Sequence, residues 1–128
     1  MSQKVFVLDD DQTSCDLARQ ALDRAGFEVE TSTRAIGATA AIRSFSPDLI
    51  LLDVMMPAVS GENVVEIIDK ILKPRPKILY YSNKSSTELR ELVNRTKVEG
   101  FVCKVDGPTN LVKQVRQTLG PPPETRGF

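Results

Sequence analysis

Residues 47–61 read PDLILLDVMMPAVSG, and the apolar run Leu49–Leu52 within them ends directly in Asp53. Four residues are too few for an ordinary helix, and no polar residue interrupts the run. An unbroken apolar run of this length is typical of a strand that is buried on both faces, as in parallel sheets covered by helices. The stretch therefore predicts a central strand whose carboxyl end carries a carboxylate.

Similar short runs occur on both sides of this stretch, and they predict further strands at Lys4–Leu8, 27–31, 77–81 and 101–103. Apolar residues at helical spacing predict helices over residues 13–25, 35–45, 64–71, 85–93 and 111–119. Strands that alternate with helices imply a mostly parallel sheet covered on both faces. The expected fold class is therefore α/β, a doubly wound, flavodoxin-like sheet of five parallel strands in the order 2-1-3-4-5, with five helices on its two faces.

Composition excludes several classes of function. A chain of 128 residues fits one domain with its own core. The 17 basic and 17 acidic residues balance, so we expect no broad basic field for nucleic acid or an anionic membrane. We find no secretory signal and no apolar segment of membrane-spanning length. Two cysteines, Cys15 and Cys103, make neither a disulfide framework nor a metal cluster, and we expect free thiols in a cytoplasmic protein.

The chain contains no histidine. Its absence excludes histidine metal sites, Ser-His-Asp and Cys-His catalysis, and a phosphohistidine carried by this chain. The chemistry of the chain must therefore use aspartate, serine and lysine, with or without a metal ion.

Polar residues follow the predicted strands at the carboxyl edge of the sheet, where doubly wound folds place their sites. They are Asp9, Asp10 and Asp11 after the first strand, Asp53 after the third, Ser82 after the fourth and Lys104 after the fifth. Carboxylate oxygens suit a hard cation such as Mg²⁺, which also offsets the cost of crowding like charges. A hydroxyl and an ammonium suit an anion beside the metal. We therefore predict a Mg²⁺-phosphoryl site, with Asp11 assigned instead to the cap of the first helix.

Four motifs, VFVLDDD, PDLILLDVMMPAVSG, ILYYS and GFVCK, occur in this order over nearly the whole chain. Together they resemble the receiver domain of bacterial two-component response regulators. The resemblance implies that Asp53 is the phosphoacceptor, whose carboxylate attacks phosphorus to form an acyl phosphate. It also implies a Mg²⁺ (or Mn²⁺) site with Asp10 as a direct ligand, Asp9 as a ligand through water, and the backbone carbonyl of Met55.

The resemblance assigns roles to residues of the other motifs as well. Lys104 matches the lysine that pairs with a phosphoryl oxygen, and Ser82 matches the hydroxyl residue that moves to the phosphoryl group. Phe101 matches the aromatic residue that turns inward with this hydroxyl. Met56-Pro57 and Gly61 match the turn after the acceptor.

Three residues depart from the family pattern. Asn83 stands where a small residue usually follows the switch serine, and it is followed by Lys84; we expect both to modulate the turnover of the acyl phosphate. Val105 replaces the proline that usually follows the lysine. A trans bond is expected there, because a non-proline cis bond costs roughly 2.5–4 kcal/mol.

The resemblance also implies partners and boundaries. The phosphoryl donor is expected to be a sensor histidine kinase or a histidine phosphotransfer protein. The face formed by the fourth helix, fifth strand and fifth helix is expected to signal to a downstream effector protein or an output domain, and family members also form homodimers there. We expect a signalling phosphoacceptor that catalyses its own phosphorylation and dephosphorylation, with residues 1–120 as the receiver domain and 121–128 as a flexible Pro-rich tail or the start of a linker.

Two alternatives remain at this stage. One is a receiver-like protein interaction module that is not phosphorylated, with Asn83 and Val105 as signs of drift. The other is a haloacid-dehalogenase-like Mg²⁺ phosphatase, because residues 9–13 (DDDQT) fit its D-x-D-x-T motif with Asp9 as nucleophile and Asp11 as acid/base. That alternative leaves PDLILLD unexplained and lacks an acidic pair after Lys104.

Overall fold

The computed structural model describes residues 2–56 and 60–121. The strands are β1 (Lys4–Leu8), β2 (Glu28–Ser32), β3 (Leu49–Leu52), β4 (Lys77–Ser82) and β5 (Gly100–Cys103). The helices are α1 (Gln12–Arg24), α2 (Ala38–Phe45), α3 (Gly61–Ile71), α4 (Ser86–Thr96) and α5 (Gly107–Leu119), with a 3₁₀ turn at Lys104–Asp106. All strand pairs are parallel, and the strand order β2-β1-β3-β4-β5 confirms the predicted fold class.

The apolar run Leu49–Leu52 forms the central strand, as its sequence predicts. β3 lies between β1 and β4, and all four of its residues are fully buried. Its register with β1 places Leu52 opposite Leu8, so the residues that follow these two strands emerge side by side. The pairing of the two central strands therefore fixes the position of two carboxylates.

The sheet carries one core on each face, because side chains of a strand alternate between faces. Phe6, Ile50 and Tyr80 lie in the core that is covered by α2, α3 and α4. Their neighbours Val7 and Leu51 lie in the core that is covered by α1 and α5. The helices thus fall on both faces, as expected for parallel strands joined by crossovers.

Helix ends follow local chemistry. Asp11 caps α1, as predicted, and its side chain accepts a hydrogen bond from the backbone of Thr13. Ser85 caps α4 and accepts from the backbone of Glu88, and residues 85–88 (SSTE) have the S-x-x-E spacing of a capping box. α2 begins three residues later than predicted, because Gly37 before it adopts a left-handed conformation with φ of 84°.

α5 differs most from its prediction, since it begins at Gly107 rather than near residue 111. Pro108 lies in its first turn, where a missing N–H costs nothing. The Lys104–Val105 bond that precedes this helix is trans, as predicted. The expected tail falls almost wholly on residues 122–128, which lie outside the described residues, as does Pro57.

α4 is the helix that the core holds least. Leu89 is its one buried residue, while each of the other four helices buries two to four. Its C-terminal end is fixed by polar contacts instead: Thr96 Oγ1 accepts a hydrogen bond of 2.9 Å from the Tyr80 hydroxyl, and Arg95 pairs with Glu62 of α3. Among the described residues, no helix combines the length and apolar character needed to cross a membrane.

Candidate functional site

Three carboxylates converge at the carboxyl edge of the sheet. Asp9 and Asp10 follow β1 and Asp53 follows β3, and one oxygen from each lies within 4.8 Å of the others. Asp9 is fully buried and Asp53 is 4% exposed, whereas Asp10 is exposed to solvent. The topology therefore brings together the three acidic residues that the sequence predicts at this edge.

The two oxygens of Asp9 have different partners. Oδ1 accepts a hydrogen bond of 2.9 Å from the backbone N–H of Asp11. Oδ2 lies 2.6 Å from the ammonium of Lys104, but the ammonium is not aligned for a hydrogen bond, and Oδ2 has no hydrogen-bond partner among the described residues. A buried carboxylate oxygen with unused acceptor capacity therefore faces the site.

Asp53 has a pKa that is raised to about 6. The largest cause is burial, which disfavours the charged carboxylate. The nearby charge of Asp9 and the contact with the Asp10 carboxyl raise the pKa further, while the ammonium of Lys104 lowers it. The backbone N–H of Met55 also lowers the pKa by donating a hydrogen bond of 3.1 Å to Oδ1. The contacts with Lys104 and Met55 therefore lower the pKa of Asp53 by less than burial and the two neighbouring carboxyls raise it.

This balance fits a divalent cation. Three carboxylates face a single ammonium, all three present oxygen atoms, and one of those oxygens is buried without a hydrogen bond. Hard cations such as Mg²⁺ prefer oxygen ligands and bind through one or two carboxylates together with water. The residues present therefore form an acidic pocket that suits a metal ion of this class.

Ser82 ends β4 at the same edge and is 1% exposed. Its Oγ accepts a hydrogen bond of 3.2 Å from the backbone N–H of Lys84, so the hydroxyl shapes the turn between β4 and α4. The ammonium of Lys84 lies 3.3 Å from Glu88 Oε2 on the first turn of α4. Asn83, which stands between Ser82 and Lys84 in the chain, is exposed. The hydroxyl of Ser82 thus connects the site edge to the beginning of α4.

The remaining predicted residues lie around this edge. Met55 is 58% exposed, whereas Met56 is buried in the core beneath α2 and α3. Phe101 is half-buried, and its side chain packs against the same core. Gly61 begins α3 at a close approach of backbones, since a Cβ there would lie 3.2 Å from Val54 Cα. This close approach supplies a physical reason for the glycine after the acceptor.

Lys104 has a second contact that the sequence prediction missed. Its ammonium lies 5.3 Å from the centre of the Tyr81 ring. In the sequence, Tyr81 is the last residue of the predicted strand 77–81, where a tyrosine is expected to pack within the sheet. The contact depends on the register, which a linear sequence does not contain: Tyr81 pairs with Val102, and Lys104 follows two residues later, just after β5 ends.

Asp11 does not join the acidic cluster. Its carboxylate accepts hydrogen bonds of 2.8 Å from the Ser14 hydroxyl and 3.3 Å from the Thr13 backbone N–H. The bond from Ser14 is the main cause that lowers the pKa of Asp11. A low pKa and a capping role do not suit the general acid that the phosphatase alternative requires of this residue.

Comparison with known proteins identifies the class. The chain matches the family model of the response regulator receiver domain over residues 5–116, and it therefore belongs to this family of two-component signalling domains. The DNA-binding response regulator MtrA of Mycobacterium tuberculosis (strain ATCC 25618 / H37Rv) is 28% identical over 119 residues, which are 93% of this chain and 51% of MtrA. The transcriptional regulatory protein YrkP of Bacillus subtilis (strain 168) is 34% identical over 87 residues, 68% of this chain and 36% of YrkP.

Solved structures agree with this class. The chemotaxis response regulator CheY4 of Vibrio cholerae is similar with a TM-score of 0.83 and 26% identity, over 93% of this chain and 100% of that one. The chain spans about half the length of MtrA, whereas it covers all of CheY4. The resemblance stated from the sequence motifs and the predicted strand order are both confirmed.

Proposed function

We propose that this receiver domain accepts one phosphoryl group onto Asp53 from a phosphohistidine of a partner, with Mg²⁺ (or Mn²⁺) bound beside it. One observation carries the proposal: the Asp9, Asp10 and Asp53 carboxylates lie within 4.8 Å of one another, and the Lys104 ammonium lies 2.6 Å from Asp9. This arrangement surrounds one buried carboxylate with the charges that phosphoryl transfer requires.

Asp53 is the nucleophile in this proposal. With a pKa of about 6 it is ionised at neutral pH, and the hydrogen bond from the Met55 N–H holds its Oδ1 in place. A carboxylate oxygen attacks phosphorus, and the bond between phosphorus and the histidine nitrogen of the donor breaks. The bonding electrons remain on the imidazole, which then takes up a proton. Since residues 1–128 contain no histidine, the donor imidazole lies outside them, and we assign it to a sensor histidine kinase or a histidine phosphotransfer protein.

The exposed Asp10 and the acceptor Asp53 are the direct metal ligands in this proposal, together with the backbone carbonyl of Met55. Asp9 is fully buried and already contacts the Asp11 N–H and Lys104, so we assign it a contact through water. When bound, a divalent ion neutralises charge on the transferring oxygens. The chain itself supplies the position and the charge of the acceptor.

Lys104 and Ser82 respond to the phosphoryl group. The Lys104 ammonium rests on Asp9 and exchanges this partner for a phosphoryl oxygen, which carries more negative charge. The Ser82 hydroxyl donates a hydrogen bond to another phosphoryl oxygen. Because Ser82 Oγ also holds the N–H of Lys84, this movement pulls on the turn before α4, and Phe101 follows from β5.

The resulting change reaches the surface formed by α4, β5 and α5. We propose this surface as the contact for a downstream effector protein, an output domain or a second copy of the chain. MtrA and YrkP, which are regulators of about twice the length, are compatible with an output domain. We retain residues 1–120 as the receiver unit and 121–128 as a tail or linker in this proposal.

Intact-mass analysis after incubation with acetyl phosphate and Mg²⁺ tests the function. Wild type is expected to gain the mass of one phosphoryl group, and chelation of the metal abolishes this gain. Asp53→Asn should give no label and Asp10→Asn should give little. Asp23→Asn, an exposed aspartate on α1, is the matched control and should label like wild type.

Each contrary result has a defined meaning. Label that persists in Asp53→Asn contradicts the assigned acceptor. Steady hydrolysis of a phosphoester that depends on Asp9 supports the phosphatase. Absence of both label and Mg²⁺ binding in wild type supports an interaction module that is not phosphorylated.

A further inference from the structure

The ammonium of Lys104 is held between two side chains. Asp9 Oδ2 lies 2.6 Å from Nζ, and the centre of the Tyr81 ring lies 5.3 Å from it. The Lys104 side chain is only 14% exposed, so water competes weakly with these contacts. Asp9 neutralises the charge of the ammonium, while the ring contacts it without carrying a charge.

The contact with Tyr81 follows from the register of the sheet. β4 and β5 are parallel, and Tyr81 pairs with Val102. Lys104 lies two residues beyond Val102, just after the end of β5, and both Tyr81 and Lys104 contact the side of the sheet that α1 and α5 cover. Diagonal neighbours on one face lie within reach of long and aromatic side chains. The backbone thus places the Tyr81 ring beside the lysine stem.

The ring face attracts a cation electrostatically, and the attraction strengthens when water is excluded. Tyr81 is 8% exposed, so its ring is fixed by its surroundings in β4. A neutral ring does not compete with a phosphoryl oxygen for the charge of the lysine. The ring fixes the direction of the ammonium and leaves its positive charge available to a phosphoryl oxygen.

A cavity gives Lys104 an alternative position. The space of about 260 Å³ lies between α1 and α5 and is lined by Leu17, Ala21 and Leu111 together with Tyr81 and Lys104. A flexible lysine stem can turn into this space, away from Asp53. Removing the ring enlarges the space and removes the attraction that keeps the ammonium at the site edge.

We propose that Tyr81 is a positioning residue for Lys104: its ring keeps the ammonium at the site edge, ready to pass from Asp9 to a phosphoryl oxygen on Asp53. This inference rests on the proposed phosphoacceptor function. Tyr81 itself touches no reacting atom in this proposal. Its effect on phosphorylation is therefore expected to require the lysine.

A double-mutant cycle with acetyl phosphate and Mg²⁺ tests that dependence. Tyr81→Leu should lower the initial labelling rate by about three- to tenfold, the range that corresponds to a partly buried cation–π contact. Tyr81→Phe keeps the ring and should label within about twofold of wild type by the same reasoning. In a Lys104→Met background, Tyr81→Leu should cause no further loss. An equal loss in both backgrounds would show that Tyr81 acts without Lys104, and it would overturn the proposal.

Proton NMR of the unphosphorylated chain provides a readout that does not depend on labelling. The ε-methylene protons of Lys104 should shift upfield under the ring of Tyr81, keep this shift in Tyr81→Phe and lose it in Tyr81→Leu. If Tyr81→Leu does not fold, Tyr81→Met replaces the ring with a flexible side chain of similar reach. An unshifted lysine in wild type overturns the positioning role, whereas a shifted lysine in a chain that never labels overturns only the phosphoacceptor function.

Discussion

Charged side chains are arranged differently at the two ends of the sheet. At the amino end, charged side chains lie at the surface and bond to the backbone: Asp48 accepts from the Lys4 N–H at 2.7 Å, and Lys77 donates to the Thr118 carbonyl at 2.9 Å. At the carboxyl end, Asp9 and Asp53 are buried, and the ammonium of Lys104 pairs with Asp9 and lowers the pKa of Asp53. The first arrangement stabilises the fold, while the second holds charge ready for a ligand.

The largest expected effect comes from removing the ammonium of Lys104. Lys104→Met leaves Asp9 as a buried carboxylate without its cation, and we expect a loss of about 3 kcal/mol in the free energy of unfolding. Urea denaturation measures this loss. At the other end, Lys77→Met removes one exposed hydrogen bond and should cost less than about 1 kcal/mol. Equal losses in the free energy of unfolding for Lys104→Met and Lys77→Met would contradict this difference between the two ends of the sheet.

Removing the acceptor charge should act in the opposite direction. The pKa of Asp53 is about 6 in the folded protein against an ordinary value of 3.8, so the unfolded chain loses this proton at lower pH than the folded one. Ionised Asp53 therefore destabilises the fold, and wild-type stability falls as pH rises through this window. At pH 7.5 and without metal, Asp53→Asn should be more stable by about 1–3 kcal/mol.

Urea denaturation across pH checks this gain and its origin. The advantage of Asp53→Asn should disappear below about pH 3, where the carboxyl is protonated in both states. Asp48→Asn is the control at the amino end, and it should not stabilise, because Asp48 accepts a bond from Lys4. A gain that is independent of pH would exclude relief of buried charge as its cause.

A divalent metal should stabilise the fold through the carboxyl end of the sheet and not through the amino end. For wild type, Mg²⁺ at ten times its dissociation constant should add about 1.4 kcal/mol to the free energy of unfolding. Asp53→Asn and Asp10→Asn should lose most of this gain, and chelation should reverse it. Because protons compete for Asp53, Mg²⁺ affinity should fall as pH decreases through about 6. Calorimetric titration of metal into each variant measures both effects.

The smallest effect is expected at the amino end. Arg116 donates a hydrogen bond of 3.1 Å to the Ala25 carbonyl, which ends α1, and its side chain is exposed. Arg116→Gln should change the free energy of unfolding by less than about 1 kcal/mol. The change should be the same with and without Mg²⁺ in thermal unfolding. A dependence on metal would mean that the two ends are coupled.

The sequence predicted the strands well because four of them are short, mostly apolar runs and β2 overlaps the alternating segment FEVET. Leu49–Leu52 and Lys4–Leu8 match the observed strands residue for residue. Helix starts were less accurate: Gly37 and Pro108 determine where α2 and α5 begin, and periodicity of apolar residues does not report such backbone geometry. Strand ends, rather than helix boundaries, therefore located the site.

The placement of Asp9, Asp10 and Asp53 also followed from the strands, because their carboxyl ends meet at one edge. The resting partner of Lys104 did not follow, since the resemblance pointed only to a phosphoryl oxygen. Its ion pair with Asp9 and its contact with Tyr81 depend on cross-strand register and on side-chain directions. The raised pKa of Asp53 likewise depends on burial, which a linear motif does not contain.

The loose attachment of α4 has an energetic consequence. Leu89 is the one fully buried side chain of α4, and Leu92 and Val93 are only partly buried, so opening of this helix loses less apolar contact than global unfolding does. Its backbone amides should exchange with solvent deuterium sooner than those of the central strands. In the proposed mechanism, a new hydrogen bond at Ser82 worth about 1 kcal/mol therefore changes the relative populations of two arrangements of α4 severalfold.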